Sequence, residues 1–291
     1  MTATCARAPF ISRRNALCGG SALILTASSS ISAAAAGEDL LERLRRQKVV
    51  KVGIANAPPF SAMRPDGSMT GVGPTMARRV LERLGIPQME GAIATYGELI
   101  PGMMAGRWDF IAAAMTMTKE RCKQVLFADP MTFEGPCIVA PINANTGKPQ
   151  TIADLARLKV TVGALSGGAQ YRQLVEGGVA LDKISQFAND NNMVDGLLAG
   201  RVQFLYLTHL LITDVSKRRN MAFDVVFPVS DAAAPGASNV FRLGDVEFHA
   251  AYQRELRALK TTGEFQEIAR QFGFEIPNGL TGATSERQCS L

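Results

Sequence analysis

Histidine is almost missing from this 291-residue sequence: only His209 and His249 occur. The five cysteines, at positions 5, 18, 122, 137 and 289, show no spacing that fits a zinc site. No metal centre and no cofactor are therefore expected, and each histidine reads as a surface or packing residue. Acid–base or nucleophile constellations are equally lacking, which argues against an enzyme. Internal repeats are absent too. The formal net charge of +5 invites a nucleic-acid reading, but Arg7, Arg13 and Arg14 sit in a segment without acids. Without those three, the 31 basic residues fall to 28 against 26 acids, a net charge of +2. No dense basic stripe remains, and nucleic-acid binding is not expected.

Long hydrophobic runs are also scarce. The one at residues 16–31 is short and broken by Gly and Ser, which argues against a membrane anchor. It follows Ser12-Arg13-Arg14 and precedes an Ala-x-Ala pattern at residues 33–36. Residues 1–36 therefore read as an export signal of the twin-arginine type, leaving a soluble periplasmic protein. Removing them takes away Cys5 and Cys18. In an oxidising compartment the remaining three cysteines are expected to give one disulfide and one buried thiol. Cys122 with Cys289 is the preferred pair, since it ties the last residues to the centre of the chain.

What is present is alternation of strands and helices. After a short helix at residues 40–47, strands are expected at 48–55, 93–95 and 110–114, with helices at 75–84 and 98–106 between them. A second alternation follows residue 150, with strands at 160–163, 202–207 and 223–229 and helices after Ser166 and from Asn191. A strand at 239–242 and helices at 246–261 and 263–272 come last, before an irregular tail. Such a pattern signals α/β layers with mostly parallel sheets. Phe60 and Tyr96 stand beyond the ends of the first two strands, where ligands of open α/β sheets bind.

The chemistry concentrates in residues 106–130. A buried strand runs into a polar turn with Thr116 and Thr118, and a short helix from Lys119 carries Arg121. A strand end, free backbone N–H groups and a fixed guanidinium together make a carboxylate receptor.

The run from Tyr96 through Gly106-Arg107-Trp108-Asp109-Phe110, then Thr116 to Arg121 and Phe127-Ala128-Asp129-Pro130, resembles the family-3 solute-binding proteins of amino-acid-type ABC transporters. Gly200-Arg201-Val202, Gly263-Glu264-Phe265 and Phe272-Gly273-Phe274 extend the resemblance over nearly the whole mature chain. Leu84-Gly85-Ile86-Pro87, Glu90-Gly91, Glu120-Arg121-Cys122 and Cys289 are most similar to the ectoine and hydroxyectoine-binding subgroup.

The resemblance implies a type II periplasmic binding protein fold: two α/β lobes joined by two crossover strands, with the ligand cleft between them. Residues 37–135 and 233–291 would form the first lobe and 136–232 the second, hinged near Val139 and Pro235. Carried over residue by residue, Arg121 would bind the ligand carboxylate and Thr116 would donate to it. Phe60 and Tyr96 would be the aromatic walls, beside Ala114. In the second lobe Ser166 and Gly167 would contact the carboxylate. Thr208 stands where amino-acid binders carry the aspartate that meets the ligand ammonium. The ectoine binders also lack that aspartate, but they usually place a glutamate at the position of Ala57 and an aromatic at that of Thr116. The implied function is the periplasmic, monomeric substrate-binding component of an ABC importer, handing a small carboxylate-bearing solute to a membrane permease. An ectoine-like zwitterion is the first ligand class and a polar amino acid the alternative, with Asp190 or Glu134 then meeting the ammonium. A periplasmic dehydratase on the same scaffold would need Glu134 as its proton donor.

Overall fold

The computed structural model describes residues 39–144, 147–276 and 279–290; the expected export signal lies outside them. From the amino end, α1 (Leu40–Gln47) leads into β1 (Val49–Ile54), a hairpin of β2 (Ala62–Met63) and β3 (Met69–Thr70), and α2 (Val72–Arg83). Next come β4 (Gln88–Ile93), α3 (Tyr96–Met104), β5 (Phe110–Thr116), α4 (Lys119–Cys122), β6 (Val125–Phe127) and β7 (Thr132–Phe133). The chain then builds β8 (Pro136–Pro141), α5 (Ile152–Leu158), β9 (Val162–Leu165), α6 (Ala169–Glu176) and β10 (Ile184–Phe187). It continues with α7 (Asp190–Leu198), β11 (Phe204–Thr208), α8 (His209–Arg219) and β12 (Phe223–Val226). Finally it forms β13 (Gly236–Arg242), α9 (Val246–Lys260), α10 (Gly263–Gln271) and α11 (Ser285–Ser290).

These strands make two main sheets of matching design. The first runs β4-β1-β5-β13-β6 and the second β10-β9-β11-β8-β12. In each, three parallel strands are followed by one antiparallel strand, β13 or β8, at an inter-sheet connection. The fold is thus α/β and two-lobed. The connections run side by side, since β7 pairs with the start of β13 through Phe133 and Gly236. Val139 lies inside the second sheet, opposite Leu205. The outgoing connection is therefore at residues 134–135 rather than at Val139.

The central strand β5 is apolar enough to be buried through all but its last residue, as parallel strands covered on both faces must be. Phe110 stacks on Phe241 at 5.4 Å and meets Phe248 edge-on at 5.7 Å. Each such aromatic contributes about 1.5–3 kcal/mol by burial. Near its carboxyl end the strand leaves regular geometry: Ala114 has φ +43°, and the register with β13 shifts between Ser238 and Val240. A left-handed alanine costs roughly 1–2 kcal/mol, and strain of this kind gathers at ligand clamps.

Three elements differ from the sequence expectation. The second strand is β4, earlier than residues 93–95, because an exposed edge strand carries no apolar alternation. Helix α8 was not expected at all: its Leu211, Ile212 and Val215 are buried, but Lys217, Arg218 and Arg219 mask the amphipathic pattern. The tail after residue 279 is not irregular. It holds α11, whose Cys289 is bonded to Cys122, while Gln288 accepts a hydrogen bond from Gly236 N. The disulfide closes a separation of 167 residues, and a link of this kind contributes typically about 2–4 kcal/mol. Cys137 is the buried free thiol. Asp129 anchors the same region, accepting from Arg257 Nε at 2.7 Å and from Ser285 N at 3.0 Å.

Candidate functional site

Thr118 begins the site by capping α4: its hydroxyl accepts from Arg121 N at 3.3 Å. That cap fixes the one-turn helix and turns the Arg121 side chain back over the end of β5. There Nη1 donates to the Thr116 carbonyl at 2.7 Å, and Nη2 donates to the Gly167 carbonyl at 2.8 Å. The first oxygen belongs to the lobe of β5 and the second to the turn after β9, so the guanidinium bridges the lobes. No carboxylate forms an ion pair with it among the described residues. Burial pulls its pKa down to about 10, a shift partly offset by Tyr96. At neutral pH it is still charged.

Six of the eight sequence-predicted residues line one small cavity of about 30 Å³: Phe60, Tyr96, Ala114, Thr116, Arg121 and Thr208. Phe60 is buried and meets Phe274 edge-on at 5.3 Å. Tyr96 is the first residue of α3 and donates its hydroxyl to the Ala113 carbonyl at 3.3 Å. Gly167 borders the adjoining groove of about 490 Å³, together with Arg172 and Glu120. Ser166 is not in the cavity lining; its N–H bonds the Phe187 carbonyl at 2.8 Å.

Sequence reading missed Leu165, Gly168, Ala169, Gln170 and Leu211, which complete the cavity. Three of them form the cap and first turn of α6, and Leu211 lies in the first turn of α8. The helix starts were the available signal. α3, α6 and α8 all begin at this cavity, and each helix N-terminus carries a partial positive charge and unsatisfied N–H groups. Glu98 already caps α3 and Glu134 accepts from the first turn of α8, so Arg121 and the start of α6 carry most of the attraction for an anion.

The two lobes approach closely beside it. Gly167 has φ +66°, and a methyl group placed on it would lie 2.3 Å from Gly97 Cα. Only glycine fits there without parting the lobes.

Glu134 and Asp190, the acids considered for an ammonium, do not line the cavity. Asp190 is buried and paired with Arg218, which also holds Asp214. Glu134 sits at the inter-sheet connection and accepts from Leu210 N–H in the first turn of α8. Its Oε2 is buried without a hydrogen-bond partner among the described residues.

Burial raises the Glu134 pKa from 4.5 to about 7, opposed by the Leu210 bond and aided by Glu275. The folded state therefore binds this proton more tightly than the unfolded chain, so its contribution falls as pH rises from about 4.5 through about 7. His209 works in the opposite sense, its pKa lowered by burial. Unfolding the wild type and Glu134→Gln in denaturant from pH 4 to pH 8 separates the two. The variant gains stability relative to wild type as pH rises through that window.

Residues 50–275 match the bacterial extracellular solute-binding proteins, family 3. The chain belongs to that family. This family-3 solute-binding protein is 31% identical to EhuB, whose crystal structure is in complex with hydroxyectoine. The TM-score is 0.81, covering 86% of this chain and 97% of that one. It is 26% identical to a probable amino-acid ABC transporter periplasmic-binding protein of Sinorhizobium fredii, over 89% of both chains. It is also 26% identical to the L-arginine-binding protein of Pseudomonas aeruginosa, over 79% of this chain and 90% of that one.

Proposed function

We propose that this family-3 protein is the periplasmic receptor of an ABC importer. It takes up a small carboxylate-bearing solute, ectoine-like or a related zwitterion, and passes it to a membrane permease. The carrying observation is the Arg121 guanidinium: it is charged and desolvated, has no carboxylate partner among the described residues, and stands where three helices begin. Two of its N–H groups hold backbone carbonyls, leaving three of its five donors for a ligand carboxylate. The ligand anion supplies the missing counter-charge and lies between the lobes, so binding favours the closed arrangement. Phe60 and Tyr96 offer aromatic surface to the remainder of the ligand, and a delocalised cation is attracted to such faces.

The likeness to a hydroxyectoine complex supports the ectoine-like class; the amino-acid names of the other relatives supply the competing ligands. Isothermal titration of the protein lacking residues 1–36 tests the reading against ectoine, hydroxyectoine and the polar amino acids. Binding of an ectoine-like solute near micromolar Kd, about −8 kcal/mol, is expected. Absence of heat with every carboxylate offered would remove the proposed ligand class.

A further inference from the structure

Among the cavity's lining residues Arg121 is the only one with a formal charge, and none carries a carboxylate. The nearby acids lie outside that lining. Asp190 is held by Arg218, and Glu134 by the first turn of α8. Glu98 accepts from Thr95 N and Thr95 Oγ1 at the start of α3. Glu120 and Glu176 border the outer groove instead, Glu120 4.0 Å from Arg172 and near enough to support the Arg121 charge. The cavity lining itself thus brings one guanidinium and the start of α6, which has no acidic residue in its first turn, and no negative charge.

A free α-amino acid brings a primary ammonium along with its carboxylate. Held against this lining the ammonium would shed water and meet no carboxylate, which penalises a compact, well-hydrated charge. Thr208, the cap residue of α8, makes no side-chain hydrogen bond to its helix. It lines the cavity and offers a neutral hydroxyl that can donate or accept.

We propose that the ligand bears a carboxylate and no primary ammonium: its amino group is absent, acylated or part of a charge-delocalised ring. This rests on the carboxylate reading of Arg121 and narrows it. Amino acids are discriminated against by the missing acid, and Thr208 is the specificity-determining position.

The experiment compares matched ligands by calorimetry: alanine with lactate, leucine with 2-hydroxy-4-methylpentanoate and N-acetylleucine, glutamine with N-acetylglutamine, and ectoine alongside. Wild type is expected to bind at least one ammonium-free carboxylate, and to bind each amino acid at least tenfold more weakly than its ammonium-free partner. Thr208→Asp is expected to reverse that order while retaining the wild-type thermal midpoint within a few degrees. An amino acid bound by wild type as tightly as its partner overturns this inference and leaves the carboxylate reading standing. If no carboxylate binds, or if Arg121→Ala binds as wild type does, the carboxylate reading itself falls. Should Thr208→Asp fail to fold, Thr208→Asn serves as the neutral control, and the wild-type ligand order decides alone.

Discussion

Arg121→Ala is expected to abolish ligand binding while leaving the protein folded. The expected weakening is at least a hundredfold. Removing one member of a desolvated charge pair costs about 2–5 kcal/mol, and every 1.4 kcal/mol is tenfold in Kd. The side chain also carries a second duty, because it joins the Thr116 carbonyl to the Gly167 carbonyl across the lobes. Alanine removes that bridge as well as the anion's partner. Lysine retains charge but offers a single ammonium in place of a planar fork. Arg121→Lys is therefore expected to fall between wild type and alanine. Stability need not suffer, since burial weighs against the wild-type guanidinium and no carboxylate is ion-paired with it among the described residues. Calorimetry gives the affinities, and thermal unfolding without ligand confirms that alanine leaves the midpoint unchanged or raised. Wild-type affinity in Arg121→Ala would remove the residue from the site.

The parts of this site legible in sequence are those whose neighbours are local. Arg121 and Thr118 lie three residues apart, so helix capping alone sets the guanidinium near the end of β5. The buried run of β5 and the aromatics after β1 and β4 could be read the same way, by burial pattern and strand-end position. The two-sheet pairing could not. Nothing local tells β13 to enter the first sheet between β5 and β6, or Gly236 to sit beside Phe133; the resemblance supplied that. Helix α8 was hidden because its three buried apolar residues are outweighed by a basic last turn, which solvates one face and satisfies its C-terminal end. With α8 unseen, Leu211 was lost, and so was the count of three helix starts at one cavity. The state of each acid was the remaining gap. Asp190 looked available in sequence, yet Arg218, 28 residues further on, consumes it.

Gly167→Val is expected to disable the protein without touching a ligand-contacting side chain. Gly167 has φ +66°, which an L residue adopts at a cost of roughly 1–2 kcal/mol and a β-branched one with more difficulty. The larger effect is steric: its Cβ would fall 2.3 Å from Gly97 Cα and 2.4 Å from Gly97 N. Both atoms are backbone at the start of α3, so no flexible side chain can yield. The overlap exists only when the lobes are together, and the substitution therefore penalises the closed arrangement and spares the open one. If only the closed form binds tightly, apparent Kd rises in inverse proportion to the closed fraction. A penalty of about 3 kcal/mol then weakens binding more than a hundredfold. Moving the Gly167 carbonyl also parts it from Arg121 Nη2, so the interlobe bridge is lost with the close approach. Small-angle scattering distinguishes this from unfolding: the variant retains its secondary structure but keeps a larger radius of gyration at ligand concentrations that compact wild type. Gly97→Ala provides the graded comparison, because a methyl there meets Gly167 Cα only at an ordinary 3.5 Å. It is expected to bind within a few-fold of wild type, and equal losses at the two glycines would show that the lobes do not close through this contact.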